Sequence, residues 1–329
     1  MMGMPSSAPE SSQVWVPDTE LTGFKQLTLP LPDATRYSGE SDVEVVATLI
    51  RRNEPQHPKA MLYVHGWNDY FFQRPLADEV ADMGYDFYAL DLRRYGRSLR
   101  TGQLAGFTTD LSDYFQELDQ ALAVIKGEGH PDVVFMGHST GGLVGVLWAA
   151  QRPGQLSALV LNAPWIELQG NAVLRPVLSP MMNVASSLSA TSALIRNDNG
   201  FYRRAISADE EGQWDYNPNL KGDKAFVVRV GWISAIMAGH AVVEAGLSID
   251  APVLVCLADR SDFSLRWSEE LRRADIVLDV DRLAQRVHDL GSHVTLIRIP
   301  DAMHDLVLSD EPARSKYLAA VRRWLSVYG

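Results

Sequence analysis

Cysteine is nearly absent: the 329-residue chain holds one, Cys256. A single thiol excludes an intrachain disulfide framework and a multi-cysteine zinc site. It sits in the apolar run Pro252–Leu257 and reads as a buried structural thiol, not a reactive one. Surplus positive charge is also lacking. With 30 Lys+Arg against 41 Asp+Glu the formal net charge is −11, which leaves too few cations to replace phosphate counterions and counts against a nucleic-acid partner. An anionic membrane surface is disfavoured for the same reason. No apolar run reaches the roughly 20 residues that span a bilayer. The start, MMGMPSSAPESSQVW, has neither a basic beginning nor an apolar stretch of signal length. The expectations are no stable membrane insertion, cytoplasmic residence and a loose Ser/Pro-rich leader over residues 1–20.

What is present is the composition of a soluble globular chain, 46% hydrophobic and 22% charged. The length suits one large α/β domain with an insertion, or two ordinary domains. Strand-like and helix-like segments alternate from Glu40 onward. Val43–Arg52, AMLYVHG (60–66), YDFYALDL (85–92), DVVFMG (132–137) and LSALVLNAP (156–164) are short apolar strands. Between them, Arg74–Gly84 has helical apolar spacing at Leu76, Val80 and Met83 and a closing glycine. Thr108–Gly129 and TGGLVGVLWAAQRP (140–153) are further helices. Such alternation indicates a mostly parallel sheet covered on both faces. It breaks over 165–246, where helical patterns stand without convincing strands, and resumes with APVLVCLA, DVDRLAQRVHDLG, HVTLIRIP and a last helix. The economical reading is an α/β core, 21–164 and 247–329, interrupted by a helical cap or lid at 165–246.

In doubly wound sheets functional groups gather beyond the carboxyl ends of the strands, and three such ends carry suggestive residues. Gly137-His138-Ser139-Thr140-Gly141 fits the G-x-S-x-G nucleophile elbow, where glycines let strand and helix close on a strained corner that exposes the serine. The pattern alone arises by chance in about one chain of this length in ten, so its setting between an apolar strand and a small-residue helix carries the weight. The second end is YVHGWND. Its His65-Gly66 turn directs the Trp67 amide toward the serine, where Trp67 and Thr140 N–H groups form a two-donor oxyanion hole; the plain alternative is an ordinary strand-ending turn. The third is VTLIRIPDAMHD. His304 stands out among eight histidines because it completes the order nucleophile, acid, base of this architecture. His138 is expected to point away from Ser139, and His240 to be a packing residue.

With HGW, YALDLRRYGRS, GHSTGG, PVLVCLA and MHD in hand, the chain resembles an α/β-hydrolase, and more narrowly the monoacylglycerol-lipase/serine-aminopeptidase branch. The matching pieces run from about residue 40 to the end. Arg94 stands where that branch's D-x-R-G-x-G-x-S motif has its first glycine. The resemblance implies an α/β-hydrolase fold with a lid and an acid after the strand Pro252–Leu257. Asp259, Asp262 and Asp275 are the candidates. Asp275 is favoured because DIVLDVDRL follows the family pattern of acid, one residue, two apolar residues and a polar helix start, which makes 259–274 an inserted loop.

The resemblance also implies a serine hydrolase cleaving a carboxylic ester through Ser139, His304 and Asp275, without metal or organic cofactor, on a small apolar acyl substrate such as a monoacylglycerol or lysophospholipid. Amide or peptide hydrolysis, acyl transfer and a non-catalytic ligand-binding role remain open beside it. Val173, Leu174, Val177, Leu178, Met181, Met182, Val184, Leu188, Leu194 and Ile195 offer an apolar surface that suits an acyl chain and equally suits lid packing.

Overall fold

The segments read as strands from Val43 onward, together with two earlier ones, join in a single sheet. The computed structural model describes residues 14–52, 54–167, 189–195, 199–222 and 224–329. In chain order the strands are β1 (Val16–Pro17), β2 (Lys25–Pro30), β3 (Val46–Arg51), β4 (Lys59–Val64), β5 (Tyr85–Asp91), β6 (Asp132–His138), β7 (Ala158–Asn162), β8 (Ala193–Ile195), β9 (Val228–Arg229), β10 (Val253–Ala258) and β11 (Val294–Ile299). Their order across the main sheet is β1-β2-β3-β5-β4-β6-β7-β10-β11, and β8 pairs with β9 apart from it. From β5 to β11 every pairing is parallel, while β1, β2 and β3 run antiparallel at one edge. Strands buried on both faces need apolar side chains at every position, and β10, VLVCLA, is buried throughout.

The helices are α1 (Arg74–Asp82), α2 (Phe115–Gly127), α3 (Thr140–Gln151), α4 (Phe201–Ile206), α5 (Pro218–Lys221), α6 (Val230–Glu244), α7 (Val280–Arg286) and α8 (Ala313–Tyr328). The chain moves one way across the sheet from β4 through α1 to β5, then back through α2 to β6 and α3 to β7. Right-handed crossovers therefore place α1 on one face and α2 and α3 on the other. Arg322 of α8 reaches Glu79 and the Asp82 carbonyl of α1, so α8 shares α1's face. Trp148 of α3 donates to Asp119 of α2 at 2.8 Å across the opposite layer. From Thr140 to Ala149, α3 is buried on every side, which accounts for its nearly continuous small and apolar sequence.

Two expectations change at the N-terminal edge and in the insertion. Residues 14–20, assigned to a loose leader, are bound to the body: β1 pairs with β2, and the Trp15 indole donates to Glu128 at 2.8 Å beneath the Arg51 guanidinium. The insertion carries the strand pair β8–β9 beside its helices. Val173, Leu174, Val177, Leu178, Met181, Met182, Val184 and Leu188 lie outside the described residues, whereas Leu194 packs on the core.

The Asp91–Ser98 loop is a buried structural knot. Asp91 accepts from the Phe71 and Arg97 amides and from the Arg97 guanidinium, which also grips Asp18. Arg94, which stands where the branch motif has a glycine, adopts the left-handed conformation that favours glycine, φ +65°. Its two bonds to Glu40, both 2.7 Å, offset that strain.

Candidate active site

Between β6 and α3 the chain turns within one residue. Ser139 has φ +52° and ψ −117°, a strained conformation that aims its side chain out of the corner. The glycines are there because nothing larger fits. A Cβ on Gly141 would lie 2.3 Å from the His65 carbonyl oxygen, and one on Gly137 2.8 Å from the Gly142 Cα. The serine backbone is tied on both sides: its N–H donates to the Asn162 carbonyl at 3.1 Å, and its carbonyl accepts from Trp165 at 3.0 Å.

The loop after β4 closes on this corner. His65 accepts at Nε2 from the Leu92 amide at 3.1 Å and donates from Nδ1 to the Gly66 carbonyl at 2.7 Å. Burial lowers its pKa, so it stays neutral and acts as a brace for the turn. Gly66 abuts the elbow, since a Cβ there would sit 3.1 Å from the Ser139 Cβ, and it delivers the Gly66–Trp67 peptide to the site. Thr140 opens α3, so its amide is one of the helix's free N–H groups. Neither the Trp67 nor the Thr140 amide donates to a protein acceptor among the described residues.

His304, in the loop after β11, bridges two of the other expected residues. Its Nε2 accepts from Ser139 Oγ at 3.1 Å, and its Nδ1 donates to Asp275 Oδ2 at 2.9 Å. The carboxylate acceptor fixes that tautomer. Asp275 is fully buried, and its other oxygen accepts from the Val277 and Leu278 amides at 2.8 and 2.7 Å. Asp259 instead accepts from the Asp301 amide, and Asp262 caps Ser264; of the three candidate acids, Asp275 is the one bonded to His304. The chain leaves β10, makes an excursion through residues 259–274, and returns where Asp275 bridges Ser261 and accepts from the Asp262 amide at 3.0 Å.

The site opens into a cavity of about 480 Å³. Ser139 and His304 form part of its wall, with Trp67, Trp165, Trp232 and Phe226 among its apolar lining. Trp232 lies between Trp67 and Trp165, its ring tilted to both, with centroids 4.8 and 5.8 Å apart. Several wall groups carried no sequence signal. His138 does not turn away: it lines the same cavity, and its ring lies 4.9 Å from that of His304. Asp69 and Lys221 form a buried ion pair in the wall, with Lys221 over the Phe72 and Tyr216 rings. Asp69 is three residues past Gly66, but its partner lies 152 positions away, beyond any local pattern. Asp69, His138 and Asp305 have the composition of a cation site; the Lys221 ammonium already lies on Asp69 and supplies positive charge there. His240 is buried, and its Nε2 donates to the Trp165 carbonyl at 2.7 Å.

Residues 55–311 match the family model described as serine aminopeptidase, S33. The chain belongs to that family. It lies in the monoacylglycerol-lipase-like branch of the α/β-hydrolases and is a lipase- and esterase-like enzyme. It is 31% identical over 256 residues to lipase LipV of Mycobacterium tuberculosis, covering 76% of this chain and 77% of the relative. It is 26% identical over 255 residues to a monoacylglycerol lipase of Mycolicibacterium smegmatis, covering 76% and 81%. In fold it is similar to a soluble variant of monoglyceride lipase from Saccharomyces cerevisiae, with a TM-score of 0.63 at 16% identity over 92% of this chain and 97% of that one. The expected α/β-hydrolase fold is therefore borne out. Among the described residues no helix is long and apolar enough to cross a membrane.

Proposed function

We propose that this enzyme hydrolyses carboxylic esters with an apolar acyl group, of the monoacylglycerol kind, through an acyl-enzyme on Ser139. The observation that carries the reading is the imidazole of His304, hydrogen-bonded to Ser139 on one side and to a buried carboxylate on the other. His304 takes the serine proton as Oγ attacks the acyl carbonyl. Asp275 holds the ring in the tautomer that presents Nε2 and stabilises the imidazolium that forms. The amides of Trp67 and Thr140 receive the developing oxyanion, each contributing about 3 kcal/mol to transition-state stabilisation. His304 then returns the proton to the leaving alkoxide and activates the water that releases the acid.

The aromatic walls support an acyl chain. They also bear on the main rival, hydrolysis of a peptide from its amino terminus, which needs a free carboxylate to hold an ammonium group. Among the described residues the lining carries two carboxylates, and both are engaged, Asp69 by Lys221 and Asp262 by Ser264 and Arg260; this favours the ester. The test is turnover of a panel of p-nitrophenyl esters, monoacylglycerols and aminoacyl amides by wild type and Ser139→Ala. Ester turnover that vanishes in Ser139→Ala is expected; amide turnover exceeding ester turnover would overturn the substrate class.

A further inference from the structure

The Ser139–His304 contact joins two loops that are 165 positions apart in sequence, and one pair of residues ties these loops together beneath it. Asn162 ends β7. Its carbonyl accepts from the Ser139 amide and from His138 Nδ1, both at 3.1 Å. Its side chain points to the other loop: Nδ2 donates to Asp305 Oδ1 at 2.7 Å, and Oδ1 accepts from the Leu306 amide at 3.1 Å. Asp305 Oδ1 also accepts from the Val307 amide at 3.0 Å. Both residues are fully buried. One residue thus grips the elbow with its backbone and the histidine loop with its side chain.

We infer that Asn162 and Asp305 act as a clip that sets the distance between Ser139 Oγ and His304 Nε2, a positioning role that neither residue type nor motif announced. The inference rests on the reading of Ser139 and His304 given above. Asp305 Oδ2 is buried and has no hydrogen-bond partner among the described residues; His138 Nε2 lies 3.9 Å from it. The link sits directly behind the two reacting atoms, where mutual geometry sets the rate: a displacement of about 1 Å costs roughly 10²-fold.

The clip predicts a specific pattern. Asn162→Asp sets two carboxylates against each other and spreads the loops. Asn162→Ser shortens the reach and leaves Asp305 unbridged, and serves as the second variant should the first fold poorly. Both are expected to lower kcat on a p-nitrophenyl ester by about 10²-fold, with KM within about threefold because the aromatic lining of the cavity is untouched. The rate of fluorophosphonate labelling at Ser139 falls in parallel. Adding Asp305→Asn to Asn162→Asp removes the repulsion and recovers about tenfold of the lost kcat. Variants that melt at lower temperature but keep kcat within threefold per folded molecule would overturn the clip as a positioning device, as would a double variant with no recovery. Wild-type protein that neither turns over esters nor labels would instead bring down the reading of Ser139, and the clip with it.

Discussion

At the scale of the residue, the site is a matter of which group each polar atom meets. Asp275 differs from Asp259 and Asp262 in being buried and in giving one oxygen to two amides and the other to His304. Asp275→Asn replaces that acceptor with a group able to stabilise the wrong tautomer, and kcat should fall about 10⁴-fold. Asp259→Asn and Asp262→Asn should stay within a few-fold, because Asp259 meets the Asp301 amide and Asp262 meets Ser264 and Arg260, and neither touches His304. Steady-state kinetics on one soluble ester decides it; a larger loss in Asp259→Asn than in Asp275→Asn would contradict the assignment. This residue was legible in part. The acid-loop pattern favoured Asp275 over its rivals, but the rivals stood open because no local rule says how far a loop travels before it returns to a strand end. His138 was misjudged for a related reason: its neighbour in sequence fixed its backbone, but the ring's direction depends on Asn162 and His304, which arrive from other strands.

At the scale of the element, the elbow is a packing problem solved with glycine. Gly141→Ala puts a Cβ 2.3 Å from the His65 carbonyl, a backbone atom that cannot rotate away, and it pushes on the same turn that carries the Trp67 amide. A destabilisation of about 1–3 kcal/mol is expected from the overpacking, together with a fall in kcat. Chemical denaturation and ester kinetics on this variant check both; an unchanged kcat would show that the turn's placement does not matter to the reaction. The parallel strands and their helices were readable because apolar runs alternate with helical periodicity. β2 went unread although Leu27, Leu29 and Leu31 alternate inward, because two or three leucines in a polar stretch weigh little until a partner strand lies beside them. β8 and β9 are three and two residues long, too short for any period to register.

At the scale of the whole molecule, three histidines are held neutral by burial: His65 under the turn after β4, His138 at the elbow and His240 in α6 against the Trp165 carbonyl. The pKa of His240 is pushed down to about 4 from an ordinary 6.5. Between those values the unfolded chain binds a proton that the folded one refuses, so stability rises with pH across that window. It is whole above about pH 6.5 and is lost as the pH falls toward 4, His240 alone accounting for on the order of 3 kcal/mol. Urea midpoints at pH 7.5 and pH 5 should therefore differ clearly, and His240→Gln should reduce the difference; a flat profile would contradict the burial argument.

The net charge of −11 and the mostly parallel sheet were in reach of the sequence, while the strand order and the aromatic cavity were not. Trp67, Trp165, Trp232 and Phe226 come from four separate segments and meet only in the folded chain. The central claim, that Ser139 is the nucleophile of an ester-cleaving enzyme, is tested most directly by the intact mass of the protein after brief mixing with a fluorophosphonate, followed by peptide mapping. One adduct per chain, on the peptide carrying Ser139 and absent from Ser139→Ala, is the predicted result. An adduct on any other residue, or none on folded wild-type protein, would contradict it.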